Sequence, residues 1–185
     1  MEKKRLLMLM EIAIFASVGL VLDQISFKLW PQGGSISLVM LPLLLIAIRW
    51  RLSAGLITGL LIGLIQVVFG AYVLHWLQGL IDYGIAFTVV GFAAIFRKPI
   101  LNSISASNNK KFIFYMLLAT TFGGMLRFAA HLIAGVVFFK EFAGDDNVWM
   151  YSIIYNCTYM IPAIILTAIA AVLLFKASPK FIKID

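Results

Sequence analysis

The chain has 185 residues, 63% of them apolar and only 12% charged, where soluble domains hold roughly 45–50% apolar residues. This composition excludes a soluble enzyme and predicts one integral membrane domain over residues 1–185. The net charge of +7 sits at the edges of the apolar runs, where membrane topology accounts for it, so no nucleic-acid partner is expected.

The opening Met-Glu-Lys-Lys-Arg resembles a signal-peptide start. No small-x-small cleavage pattern follows and Glu11 interrupts the apolar run, so a retained first span is expected. That span runs from Leu6 to Leu29, and a turn at Pro31-Gln32-Gly33-Gly34 follows. The second segment, Ile36 to Ile48, is short against the roughly 20 residues a span needs. The third runs from Ala54 to Gly70 and the fourth from Val73 to Phe96. The fifth, Phe112 to Phe139, and the sixth, Val148 to Phe175, are long enough to tilt or project. Together they predict an all-α bundle of six transmembrane helices. Twelve of the fifteen Lys and Arg fall on one side, at residues 3–5, 49–51, 97–98, 110–111 and 176–183. The positive-inside rule then places both termini in the cytoplasm.

The stretch Tyr72 to Ala86, YVLHWLQGLIDYGIA, carries polar and aromatic side chains inside an apolar run. At about 3.6 residues per turn, Tyr72, His75, Trp76, Asp82 and Tyr83 fall on one helical face. A carboxylate such as Asp82 at membrane depth costs a few kcal/mol, so it is expected to have a partner or a job. His131 and Asn156 sit, like Asp82, eight residues from the outer ends of their segments, roughly 12 Å deep. Asp23 lies at a similar level, with Tyr72, Phe139, Trp149 and Tyr151 above. The pattern describes a cup open to the outside, polar at its floor and aromatic at its wall. Such a cup suits a small, flat, cationic ligand. Asp82 is its counter-ion, aromatic faces add cation–π attraction, and His131 and Asn156 give direction. A structural pair of Asp82 with His131 or Arg127 is the plainer reading. Arg127 itself reads as a packing cation, Tyr155 and Tyr159 as core, and Glu11 as the partner of an inner-surface cation. Residues 31–35, with Gln32, Gly33 and Gly34, form a lid over the mouth or a plain tight turn.

Gly55, Gly59 and Gly63 form a double GxxxG, read as close packing within the monomer. Ala13 and Ser17 form a small-xxx-small pair that serves a neighbouring span or an external partner. No HExxH, GxSG-type serine site, aspartate run or P-loop is present, so neither a catalytic signature nor a means of hydrolysing nucleotide is found.

The segments PQGGSISLVMLPLLLIAIRW, LIDYGIAF, RFAAHLIAGVVFF and VWMYSIIYNCTYM resemble the thiamine-specific substrate-binding (S) component of energy-coupling-factor (ECF) vitamin transporters, the ThiT/YuaJ family. The resemblance covers essentially the whole chain. It implies a six-helix S-component bundle in a bacterial plasma membrane that binds thiamine near the outer surface. It carries the family's pocket residues onto Asp82, Tyr83, His131, Tyr151, Asn156 and Tyr72. The family's usual acid is Glu, so Asp82 is one methylene shorter. Phe139 and Gly33 stand where some members carry Trp, which leaves Trp30, Phe139 and Trp149 as stacking candidates. The resemblance further implies docking through Ala13 and Ser17 onto a transmembrane coupling (T) component with two ATPases. No cofactor, metal or catalytic residue is expected. The alternatives are an S component for another vitamin-like heterocycle, or a small intramembrane enzyme using Asp82 and His131 as acid and base.

Overall fold

The structure is a computed structural model that describes residues 2–30 and 33–178. Its helices are α1 (Glu2–Gln24), α2 (Met40–Arg49), α3 (Leu52–Val68), α4 (Trp76–Ser105), α5 (Asn109–Phe138) and α6 (Val148–Ala177), with a short 3₁₀ turn at Lys140–Ala143. A hairpin of β1 (Phe27–Trp30) and β2 (Gly33–Ile36) joins α1 to α2. Among the described residues, α1, α4, α5 and α6 are long and apolar enough to cross a membrane.

α2 is apolar all round, and Met40 to Ile48 are buried apart from Leu41. A helix without a polar face belongs inside a bundle, and its ten residues cover only about 15 Å. α1 is the opposite case. It buries only Ile12, Ala16 and Gly19 and leaves a broad face open.

The glycines of α3 bring it onto α4. A Cβ on Gly59 would land on the Phe87 carbonyl, and one on Gly63 on the Tyr83 carbonyl. At Gly55 the added atom would stand 2.7 Å from the Ala47 Cβ and 3.0 Å from the Gly91 Cα. The double GxxxG therefore packs within the monomer, as expected, because only hydrogen at these positions lets two backbones touch. α5 lies along both α4 and α6 and closes the bundle.

Two apolar clusters fill the interior. One, around Leu44, Ile48, Ile100, Met116 and Phe175, sits at the end that carries Arg49, Arg51, Arg97, Lys98, Lys110 and Lys111. Lys180 and Lys183 of the expected cytoplasmic set lie outside the described residues. At this basic end Glu11 accepts from Arg49 Nε at 2.6 Å and Nη2 at 2.8 Å, and from Trp50 Nε1 at 2.7 Å. Glu11 thus reaches an arginine, as expected, in a forked and half-buried pair rather than a solvated one. The second cluster, around Met40, Ile62, Phe87, Val90, Tyr159 and Met160, lies toward the other end and forms the floor of a cavity.

Several boundaries differ from the sequence reading. The first helix ends at Gln24, not Leu29, because Phe27-Lys28-Leu29-Trp30 pairs as a strand with Gly33–Ile36. Gly33 and Gly34 adopt φ of +118° and +78°, which glycine alone accepts freely. Gln32 of the expected lid lies outside the described residues. The fourth helix starts at Trp76, not Val73, and runs past Phe96 to Ser105. Arg97 and Lys98 end the apolar stretch, but a change of polarity does not break backbone hydrogen bonding. Gly70, at φ +99°, stops α3, and an irregular connection bends at Leu74 into His75, which caps α4 by accepting from Leu77 N–H at 3.2 Å.

Candidate binding site

α4 is not uniform. Between Leu80 and Ile85 it winds as a π-helical turn, and the Ala86 N–H bonds five residues back to the Ile81 carbonyl. Widened turns of this kind recur at functional sites, and this one carries Asp82 and Tyr83. α6 opens with Asn147, whose side chain accepts from the Trp149 and Met150 N–H groups. That cap sets where Tyr151, Tyr155, Asn156 and Tyr159 face.

These elements enclose a cavity of about 350 Å³ at the end of the bundle opposite the basic residues. The volume lies within the range of small-molecule sites. Asp82, Tyr83, His131, Tyr151, Asn156, Tyr72 and Phe139 all line it, as do Gly33 and Gly34. Tyr72 enters from the connection before α4 rather than from the helix face. His75 and Trp76, expected on the same face, instead point outward, and Trp76 is 72% exposed. A helix that begins only at Trp76 cannot hold Tyr72 and His75 in register with Asp82.

Asp82 is the electrostatic centre. Its Oδ1 lies 2.8 Å from His131 Nδ1, and its Oδ2 accepts from Gln78 Nε2 at 2.6 Å. Arg127 Nε donates to His131 Nε2 at 3.2 Å. A guanidinium N–H can only donate, so His131 Nε2 is the acceptor and the ring proton sits on Nδ1, directed at Asp82. His131 is then neutral in this arrangement. Asp82 is held by two neutral donors at the cavity wall. Arg127 is one imidazole removed, 4.0 Å over the Phe87 ring, where a desolvated cation–π contact contributes about 2 kcal/mol. It is buried and orients His131, the packing role expected of it, while also reaching the cavity lining.

Other walls were not foreseen. Tyr155 and Tyr159, read as core, do pack in the apolar cluster and also line the cavity. Tyr155 O–H donates to the Gly33 carbonyl at 2.9 Å, and Trp30 Nε1 donates to Thr158 Oγ1 at 3.0 Å, which seats the hairpin on α6. A Cβ on Gly34 would stand 2.7 Å from the Tyr159 ring, so glycine is also needed there for close approach. Asn156 donates to the Ser152 carbonyl at 2.8 Å and accepts from the Tyr159 hydroxyl. Of the three stacking candidates, Trp30 and Phe139 reach the cavity, whereas Trp149 is 57% exposed and does not. Phe139 pairs with Tyr72 at 6.3 Å between centroids.

Gln66, Gln78, Gln24 and Lys28 also line the cavity, and Asp23 lines it from the end of α1 with Ser37 Oγ 3.5 Å away. Gln78 had a readable signal: it precedes Asp82 by four residues, one helical turn. Gln66 had a weaker one, three residues beyond Gly63 on the face that meets α4. Among the described residues no group of three or more His, Cys, Asp or Glu is placed to hold a metal ion.

An apolar helical bundle with a polar cavity of small-molecule size sunk in one end defines a multi-pass membrane protein. The chain belongs to the family described as thiamine transporter protein (Thia_YuaJ), whose model matches residues 9–183. It is 42% identical to the thiamine transporter ThiT of Bacillus subtilis, over 100% of this chain and 98% of that protein. It is 28% identical to ThiT of Lacticaseibacillus paracasei, over 97% of this chain and 92% of the relative. A solved structure of ThiT from Listeria monocytogenes matches with a TM-score of 0.91 and 35% identity, over 97% of this chain and 98% of that one. The protein is a multi-pass protein of a bacterial cell membrane.

Proposed function

We propose that this protein is the substrate-binding component of an ECF transporter and takes thiamine into the cavity from outside the cell. One observation carries the reading. Asp82 faces a cavity of small-molecule size with both oxygens on neutral donors, so a cationic ring entering there meets a carboxylate to which no cation is bonded. Tyr72, Tyr83, Phe139 and Tyr151 supply the aromatic wall, and His131 orients the acid. Asn156, which spends both ends of its amide on Ser152 and Tyr159, shapes the floor. The hairpin with Gly33 and Gly34 covers the site. Names carried by the relatives above support thiamine as the ligand.

In this reading the chain crosses the membrane six times, the short α2 completing the second crossing together with the segment that leads from the hairpin, and forms one substrate-binding domain. The basic end is cytoplasmic, with both termini there, and the cavity end faces out. The protein is not an enzyme. Titration of the purified chain with thiamine, without metal or ATP, is expected to quench tryptophan fluorescence to saturation, since Trp30 lines the cavity. A flat titration together with a response to a different vitamin overturns thiamine as the ligand, and turnover of thiamine overturns a pure binding role.

Uptake then depends on a T component and two ATPases, which dock on α1. Ala13 and Ser17 are exposed on its open face, and Ser17 Oγ folds back onto the Ala13 carbonyl at 3.0 Å, which keeps that face smooth. Ala13→Trp is expected to leave thiamine affinity within about twofold, since additivity holds between distant sites, and to abolish uptake by whole cells. Loss of binding in that variant would assign Ala13 to internal packing instead.

A further inference from the structure

Three carboxamides are buried around the cavity: Gln66, Gln78 and Asn156. Two of them are fully engaged with protein. Gln78 accepts from the Leu74 N–H at 3.0 Å and donates to Asp82 and to the Tyr72 carbonyl. Asn156 donates to Ser152 and accepts from Tyr159. Gln66 differs. It is only 6% exposed, and its Nε2 has no hydrogen-bond partner among the described residues. A buried polar group is normally paired, and Gln66 is among the residues that line the cavity, so a turn of its side chain would offer the unpaired amide nitrogen, now shielded by protein, to something that enters.

Its position agrees. Gly59 meets Phe87 and Thr88 across the α3–α4 contact, and Gly63 meets Tyr83 and Gly84. Four residues up α3 therefore match four residues back along α4. Three more bring Gln66 level with residues 79–82, beside the acid. The side chain stands one turn beyond Gly63, on the face that meets α4.

We propose that Gln66 is a ligand-binding residue that determines specificity, and that its carboxamide pairs with the hydrogen-bonding edge of an amino-substituted aza-aromatic ring. A carboxamide holds a donor and an acceptor side by side. The complement is an unprotonated ring nitrogen next to an exocyclic amine, the pairing by which glutamine reads adenine. Asp82 takes the ligand's charge and Gln66 reads the edge of its neutral ring. This assignment rests on the thiamine reading above, because thiamine carries an aminopyrimidine beside its cationic ring.

The test is calorimetric binding of two probes to the purified full chain: thiamine, and its analogue with hydrogen in place of the pyrimidine amine. Gln66→Leu is expected to weaken thiamine by about 5- to 150-fold, the range for one bidentate amide pair. The desamino analogue, already lacking half of the pair, loses distinctly less. Unliganded Gln66→Leu is expected to melt no lower than the wild type, since an unpaired buried amide is removed. Unchanged thiamine affinity, or equal losses for both probes, overturns the assignment while leaving the thiamine reading intact. Absence of thiamine binding in the wild type overturns both. Should the leucine variant not fold, Gln66→Met, which keeps the chain length, carries the same comparison.

Discussion

Asp82→Asn is expected to weaken thiamine by more than any other single substitution in the cavity that preserves the shape of the side chain. Removing one partner of a buried charge pair costs about 2–5 kcal/mol, roughly 30-fold to over a thousandfold in affinity. Two effects combine here. The cation loses its counter-ion, and the new amide meets a donor on either side, because both oxygens of Asp82 accept, one from Gln78 and one from His131. One of those bonds must break or its partner must turn. Isothermal titration with thiamine and with a neutral isostere of its cationic ring separates the two effects. The cation is expected to lose far more than the neutral compound. Equal losses would remove the counter-ion role and leave Asp82 as scaffolding. Asp82→Glu is expected to stay within about tenfold of the wild type, since it keeps the charge at a changed reach.

Gly63→Ala is expected to damage both the fold and the cavity. The added methyl falls on the Tyr83 carbonyl, a backbone atom that cannot swing aside, so α3 and α4 must part. Overpacking of this kind costs about 1–3 kcal/mol and sometimes more. The displaced segment is the π-helical turn of Asp82 and Tyr83, so affinity falls along with stability. Thermal melting in detergent and a thiamine titration on the same sample report both. Gly84→Ala is the control: its Cβ would stand 3.2 Å from Leu80 Cδ1, a side-chain tip that can move. Retention of wild-type melting and affinity by Gly63→Ala would mean that the helix contact is not what holds Asp82 in place.

Much of this architecture was legible because its causes are local. Apolar runs, the glycine triplet and the one-sided distribution of Lys and Arg are read directly from residue order. Counting residues from the ends of the apolar runs brought Asp82, His131 and Asn156 to one depth, and all three line one cavity. The failures came where the backbone departed from a regular helix. Periodicity assumed an α-helix from Tyr72 onward, whereas the chain is irregular through His75 and π-helical from Leu80. Tyr72 reached the cavity by another route, and His75 and Trp76 did not reach it. Tyr155 and Tyr159, on the regular α6, do pack with the apolar cluster as read but line the cavity too, because an aromatic stripe looks alike whether it faces a methyl group or a void.

From residue order alone, the protein is a membrane protein of helical spans, basic at one end, with a buried acid in its fourth apolar run. Burial of apolar surface and backbone hydrogen bonding in lipid leave few alternatives to that outcome. Only the tertiary structure decided which atoms surround the acid. The neutral state of His131 depends on Arg127 donating to its far nitrogen, and the readiness of Gln66 depends on its Nε2 having no hydrogen-bond partner among the described residues. Both are matters of distances of about 3 Å between segments far apart in the chain, and hydrogen bonding is too short-ranged and too directional to be read from spacing along the chain.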